Sequence, residues 1–156
     1  MRIDFYELDE IEDSLLEFAV IFTVFDGEYV FVRHRDRNSW EIPGGHREMN
    51  EKIEDTAERE LKEETGAKDF QIFPVCDYSV DIDVERRYGR LFLCDLKEIS
   101  DQLEYEIEEV EFFEECPINL TYPEIQPYLY EEIIKRAKLK MDNSKLWRLF
   151  YGKAGD

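Results

Sequence analysis

The apolar positions of the chain fall into short runs that indicate strands. Residues 18–25 and 29–33 are rich in β-branched and aromatic side chains, and Asp26 and Gly27 lie between them. An Asp-Gly pair between two such runs predicts a β-hairpin. Further strand-like runs follow at residues 70–75, 78–84, 91–96 and, more briefly, 110–113.

Two segments have the pattern of helices instead. Residues 51–65 carry an apolar stripe at a spacing of four, formed by Ile53, Ala57 and Leu61. Asn50 is the expected N-cap and Gly66 the expected left-handed residue after the helix. Residues 125–139 predict a second helix, whereas the polar segment 36–50 contains Pro43-Gly44-Gly45 and predicts a loop. Strands interleaved with two helices indicate an α/β sandwich.

The chain as a whole indicates one domain, residues 1–156, because it has no repeat and no linker-like stretch. The aromatic tail from about residue 140 is expected to dock on this domain or on a partner in a homodimer. No apolar run approaches the roughly 18 residues of a membrane helix, and the first residues do not resemble a signal peptide. Three widely spaced cysteines predict free thiols in a reducing cytoplasm: Cys76, Cys94 and Cys116.

The net charge of −19 restricts the partners of the protein. A field of that sign repels nucleic acid and anionic membranes, so we expect neither DNA nor membrane binding. It would also repel a phosphorylated metabolite unless cations intervene. The charge therefore fits either a protein that binds divalent metal or one that is merely soluble.

The most informative segment runs from Gly45 to Ala67 and reads GHREMNEKIEDTAERELKEETGA. Glu51 stands six residues after Gly45, and Arg59 opens the run RELKEETGA. This pattern resembles the complete Nudix box, G-x5-E-x7-R-E-U-x-E-E-x-G-U, in which U is aliphatic. The lead-in WEIPGG at residues 40–45 also resembles that family.

The helical spacing places three carboxylates together. Successive helical residues turn by about 100°, so Glu60, Glu63 and Glu64 share an arc about 100° wide. Their mutual repulsion is relieved by a hard cation with a preference for oxygen ligands, such as Mg²⁺. Arg59 stands four residues before Glu63, where it can form an ion pair. We expect Glu63 and Glu64 to face outward, so that their loss affects activity more than folding.

The resemblance implies an α/β/α sandwich with a mixed sheet and a particular chemistry. Nudix hydrolases cleave a nucleoside diphosphate linked to a further group X, assisted by Mg²⁺ or Mn²⁺. By position, the metal ligands would be Glu60, Glu63, Glu64 and the carbonyl of Gly45. Glu63 or Glu64 would help to activate water, Arg59 would orient the cluster, and Glu51 would support the arginine.

The resemblance also implies that a further base or metal ligand can come from a later loop. Four acidic residues are candidates, namely Glu104, Glu106, Glu108 and Glu109. Glu108 and Glu109 rank first because they directly precede the strand-like run at 110–113. The alternative is a solvated acidic loop.

Arginines are the candidates for substrate phosphate contacts because their guanidinium groups bind phosphate in a bidentate manner. Arg33, Arg35 and Arg37 would share one face if their strand persists. Further candidates are Arg47 before the helix and Arg90 in a cluster with Arg86 and Arg87. Each of these can equally be surface charge. Two histidines have no partner that the sequence identifies, and we expect them at the surface or in loops: His34 and His46.

The group X is not specified by the box. The flanking segments resemble MutT-like members, which implies hydrolysis of a nucleoside triphosphate, canonical or oxidised, to monophosphate and pyrophosphate. An ADP-ribose or nucleotide-sugar pyrophosphatase is the first alternative, and RNA 5′-end trimming is disfavoured by the net charge. A nucleotide-binding sensor without catalysis is the alternative of another class.

Overall fold

The protein forms one mixed seven-stranded sheet that carries a helix on each face. The computed structural model describes residues 1–100 and 107–140, the side chains of 107, 108 and 140 excepted. The strands are β1 (Arg2–Tyr6), β2 (Leu16–Phe25), β3 (Glu28–His34), β4 (Gly44–His46), β5 (Ala67–Ile82), β6 (Glu85–Ile99) and β7 (Ile107–Phe113). The helices are α1 (Ile53–Thr65) and α2 (Gln126–Lys140), and a 3₁₀ turn covers Asp13–Leu15.

The sheet has the order β1-β5-β6-β2-β3-β7, and β4 pairs with β2 beside this path. β2 and β6 run parallel, whereas the other pairings of described strands are antiparallel. The expected mixed sheet is therefore confirmed. Asp26 and Gly27 both have positive φ, 52° and 80°, as a two-residue type I′ hairpin turn requires.

Alternation along the central strands builds two cores. In β6, Leu91 and Leu93 face the cluster that contains Leu129 of α2, while Phe92 faces the cluster that contains Leu61 of α1. Successive strand residues point to opposite faces, so the sheet is covered on both sides. The resulting α/β/α sandwich fixes α1 against the middle of the sheet.

Several predicted boundaries need correction. The helix begins at Ile53 rather than at residue 51, and Asn50 is not its N-cap: it has φ 64° in the preceding turn, and Lys52 occupies the cap position without a side-chain bond. The runs at 70–75 and 78–84 lie in the single strand β5 except for residues 83 and 84, which form the turn before β6. The register of β5 shifts between Pro74 and Cys76. A bulge thus accommodates the proline, which cannot donate to a ladder.

Two strands were not predicted at all. The edge strand β1 pairs with β5, and the three residues of β4, which lie inside the predicted loop 36–50, pair with β2. Gly66 does end α1 in the left-handed conformation, with φ 74°. The three cysteines are free thiols, two buried and one partly buried. No helix in residues 1–100 or 107–140 is long and apolar enough to cross a membrane. The tail from about residue 140 lies outside the described residues.

Candidate active site

The three box glutamates lie on one side of α1 but differ in exposure. The side chain of Glu63 is 46% exposed, that of Glu60 16%, and that of Glu64 only 7%. Glu63 thus faces outward as expected, whereas Glu64 is buried between the helix and the loop before β4. The expectation that Glu64 faces solvent was wrong, because its neighbours come from distant parts of the chain.

Arg59 ties the start of the helix to the glutamates. Its Nε donates to Glu51 at 2.7 Å, and its Nη1 donates to Glu60 at 2.8 Å and to Glu63 at 3.3 Å. Glu51 also accepts bonds from Thr56 Oγ1 and from a backbone N–H. These bonds, Arg59 first, lower the pKa of Glu51 to about 2. Glu51 is therefore a charged anchor, and Arg59 is the bridge to the carboxylate cluster.

The two glycines before α1 let the backbone approach the glutamates. The N–H of Gly44 donates to Glu64 Oε1 at 2.7 Å. A Cβ on Gly45 would overlap the carboxylate of Glu60, and one on Gly44 would overlap the carbonyl of Ala19 in β2. Gly45 thus makes room for a functional carboxylate, while Gly44 makes room for the sheet.

Negative charge is concentrated around Glu60. Its pKa is raised to about 7, chiefly by burial and further by the charges of Glu64 and Glu63, against the opposing bond from Arg59. Such repulsion is what a bound cation relieves. Within the described part of the chain, no three His, Cys, Asp or Glu side chains converge as metal ligands in this arrangement.

A histidine that the sequence did not single out stands beside Glu64. His34 Nε2 lies 2.9 Å from Glu64 Oε2 and 3.6 Å from Glu41 Oε2. The hydrogen bond with Glu64 is the main factor that raises the pKa of His34, and burial opposes it. Burial raises the pKa of Glu41. His34 and Glu41 thus lie beside the carboxylate cluster. No motif marked His34, and Glu41 stands in the WEIPGG lead-in, to which no individual role was assigned.

Most of the arginines that were candidates for substrate phosphate donate hydrogen bonds to other groups of the protein. Arg33 donates to Glu109 at 2.8 Å and to the carbonyl of Arg37 at 3.1 Å. β3 ends at His34, so the alternation expected for Arg33 and Arg35 does not continue. Arg35 also has a contact within the protein.

Arg47 and Arg90 have structural roles. Arg47 donates to the carbonyls of Glu51 and Asp13 and to the Asp13 carboxylate, which ties the loop before α1 to the 3₁₀ turn. Arg90 is 7% exposed and donates twice to the fully buried Asp77 and once to Glu54. These bonds occupy both guanidinium groups, so the structure does not support their assignment to substrate phosphate.

Of the acidic candidates after β6, Glu109 has a described side chain, and that side chain lies away from the carboxylate cluster. Glu109 pairs with Arg33, and its neighbour Val110 packs on the α1 side of the sheet. Alternation therefore places Glu109 on the opposite face. Glu104, Glu106 and the side chain of Glu108 lie outside the described residues.

Comparisons with known proteins identify the family of the chain. The model of the NUDIX domain family matches residues 15–131, well over half of the chain. A Bacillus subtilis (strain 168) protein named "Putative 8-oxo-dGTP diphosphatase YtkD" is 28% identical over 124 residues, 79% of this chain and 78% of that protein.

Solved structures show the same fold. A mutant form of the Bacillus subtilis pyrophosphohydrolase BsRppH has a TM-score of 0.72 at 22% identity, covering 86% of this chain and 90% of its own. A UDP-X diphosphatase has a TM-score of 0.69 at 21% identity, covering 86% and 68%. The fold, the complete box and the family match lead to one conclusion: the chain belongs to the NUDIX domain family and is a Nudix hydrolase.

Proposed function

We propose that the protein hydrolyses a nucleoside triphosphate, canonical or oxidised, to the monophosphate and pyrophosphate in the presence of Mg²⁺ or Mn²⁺. The observation that carries the proposal is the carboxylate cluster of Glu60, Glu63 and Glu64 beside the two glycines of β4. The name of the relative that is 28% identical, which assigns it to 8-oxo-dGTP, favours a nucleoside triphosphate as the substrate class.

The charge of the site supports a divalent cation. A protein of net charge −19 repels a polyphosphate. Burial, and to a smaller extent the charges of Glu64 and Glu63, raise the pKa of Glu60, so its negative charge is costly without a cation. The donors are oxygens, which suit Mg²⁺ or Mn²⁺. Glu60, Glu63, Glu64 and the carbonyl of Gly45 would hold it. Such a cation, when bound, polarises the phosphate and promotes ionisation of water.

The side chains of the protein divide the remaining work. Glu63 is the most exposed of the three glutamates and has one long bond to Arg59, so water can reach it and lose a proton to it. The water oxygen bonds to a phosphorus, and the bridging oxygen leaves with the electron pair of the broken P–O bond. Arg59 and Glu51 keep Glu60 in place during this step. The proton passes from Glu63 to solvent.

A substrate panel tests the proposal. Release of phosphate and pyrophosphate is measured with Mg²⁺, Mn²⁺ or EDTA for canonical and 8-oxo nucleoside triphosphates, ADP-ribose, sugar nucleotides and dinucleoside polyphosphates. We expect pyrophosphate from a triphosphate and none in EDTA. Turnover confined to ADP-ribose or sugar nucleotides would replace the triphosphate assignment, and binding without turnover would indicate a sensor.

Variants of the helix test the site itself. We expect Glu63→Gln to reduce turnover by at least about 100-fold without a change in melting temperature, because its side chain is exposed. Glu64→Gln should reduce turnover similarly and also lower stability, because Glu64 is buried and hydrogen-bonded. Glu58→Gln, an exposed glutamate on the same helix, is the matched control. Normal rates in both site variants would contradict the assignment.

A further inference from the structure

Glu64 differs from the other two glutamates in that groups outside α1 hold both of its oxygens. Gly44 N–H donates to Oε1 at 2.7 Å, and His34 Nε2 lies 2.9 Å from Oε2. Each carboxylate oxygen has two acceptor sites, so among the residues that the structure describes one site on each oxygen remains available. Glu63, by comparison, has one described bond, at 3.3 Å to Arg59.

The fold of β3 explains why His34 reaches the helix. Val30 of β3 packs in the cluster that contains Leu61 of α1. His34 stands four residues further, and strand residues at even spacing share a face, so His34 points to the same side. β3 ends there, and the pairing with β7 shifts register between Arg33 and His34. Register shifts of this kind often redirect side chains near active sites.

Glu41 approaches the same ring nitrogen of His34 that faces Glu64. Its Oε2 is buried and accepts no hydrogen bond within the described structure, while nitrogens of His34 and Arg37 each lie 3.6 Å away. A buried acceptor in that position is costly unless a donor is nearby. It therefore attracts the His34 N–H toward the gap between Glu41 and Glu64.

The segment that carries Glu41 is itself fixed to the start of α2. Ser39 and Thr121 hydroxyls lie 2.6 Å apart, and the N–H of Ile42 donates to Gln126 Oε1 at 2.8 Å. Trp40 also exchanges backbone hydrogen bonds with Asn119 and Thr121. The segment that carries Glu41 is thus held by contacts outside α1.

We propose that His34, drawn toward the gap between Glu41 and Glu64, is a positioning residue that holds the Glu64 carboxylate in the orientation in which its available acceptor sites meet a divalent cation. The inference rests on the proposed function, since it gives Glu64 a cation to meet. Gly44 alone fixes one oxygen and leaves the carboxylate free to rotate about that bond. The second bond, from His34, removes this freedom before the ligand arrives.

Three substitutions at one position test the role of the donor. His34→Gln keeps an N–H donor of similar reach, His34→Asn has a donor that is too short, and His34→Leu has none. The cation is followed directly by Mn²⁺ binding without nucleotide, measured by electron paramagnetic resonance. Turnover of dGTP and 8-oxo-dGTP is measured in parallel against Mg²⁺ concentration.

We expect the Asn and Leu variants to bind Mn²⁺ about 10-fold more weakly than the wild type and to need about 10-fold more Mg²⁺ for turnover, as for other groups that orient metal ligands. The Gln variant should stay within about threefold of wild type. Glu58→Gln changes an exposed glutamate of α1 outside the carboxylate cluster, and it should behave as wild type. If the Leu variant fails to fold, the comparison of Gln with Asn decides.

The outcomes separate the two proposals. Wild-type affinity for Mn²⁺ in the Asn and Leu variants, or an equal loss in the Gln variant, would overturn the role of His34 while leaving the hydrolase assignment intact. Absence of Mn²⁺ binding and of metal-dependent turnover in the wild type would instead overturn the proposed function, and this inference with it.

Discussion

Glu51→Gln tests how much the bonds between Glu51 and Arg59 stabilise the fold. The lowered pKa of Glu51 sets the size of the expected loss of stability. The pKa of Glu51 falls from 4.5 to about 2, mainly through its bonds to Arg59. A tenfold change in proton affinity is worth about 1.4 kcal/mol, so the shift corresponds to about 3 kcal/mol of stability at neutral pH. The side chain is only 14% exposed, and some solvent screening makes about 2–3 kcal/mol the expected loss.

The pH dependence follows from the direction of the shift. Because the folded pKa lies below the unfolded one, protons bind the unfolded chain preferentially as the pH falls. The contribution of Glu51 is complete above about pH 5 and disappears as the pH falls toward 2. The stability difference between wild type and Glu51→Gln should therefore be constant from pH 8 to about 5 and shrink below that.

Urea unfolding followed by tryptophan fluorescence at several pH values measures this difference. Glu48→Gln is the matched control, since Glu48 lies 3.7 Å from Arg59 but its side chain is 68% exposed. Its removal should cost less than about 0.5 kcal/mol. A loss in Glu51→Gln no larger than that of the control, or a loss independent of pH between about 7 and 3, would refute the anchoring role.

Four further variants probe the two glycines of β4 and the buried ion pair. Gly45→Ala should reduce turnover at least about 10-fold, because its Cβ displaces the Glu60 carboxylate, whereas Gly44→Ala, whose Cβ meets backbone, should lower the melting temperature more; equal melting temperatures would count against this distinction. Arg90→Met should cost about 3–5 kcal/mol, since it leaves Asp77 buried without a partner. Addition of Asp77→Leu should recover most of that loss in urea unfolding, and failure to recover it would show that the pair is not the cause.

Short-range sequence patterns were sufficient to predict the elements that are determined by residues close together in the chain. The Asp26-Gly27 hairpin, the apolar stripe of α1 and the Gly66 terminus all follow from residues within a few positions of each other. The start of α1 was misplaced: Glu51, the expected first helical residue, precedes the helix and forms an ion pair with Arg59. The strand β4 was missed because three residues with two glycines carry no strand pattern without their partner β2.

The same distinction applies to the site. The bond between Arg59 and Glu51 spans 8 positions and lies within the box, so the motif already implied it. The bond between Gly44 and Glu64 spans 20 positions, and His34 comes from a strand before the loop. A residue such as His34 becomes recognisable only when the period-two alternation of β3 is combined with the knowledge that Val30 packs against α1.

This division has a physical consequence for the three glutamates. Glu60 and Glu63 are oriented from within the box by Arg59, so their arrangement depends mainly on the helix and its first turn. Glu64 is oriented by Gly44 of β4 and His34 of β3, so its arrangement depends on how α1 docks on the sheet. Anything that loosens this docking should release Glu64 before it disturbs Glu60. The box therefore specifies which carboxylates are present, and the packing of α1 on the sheet determines whether all three act together.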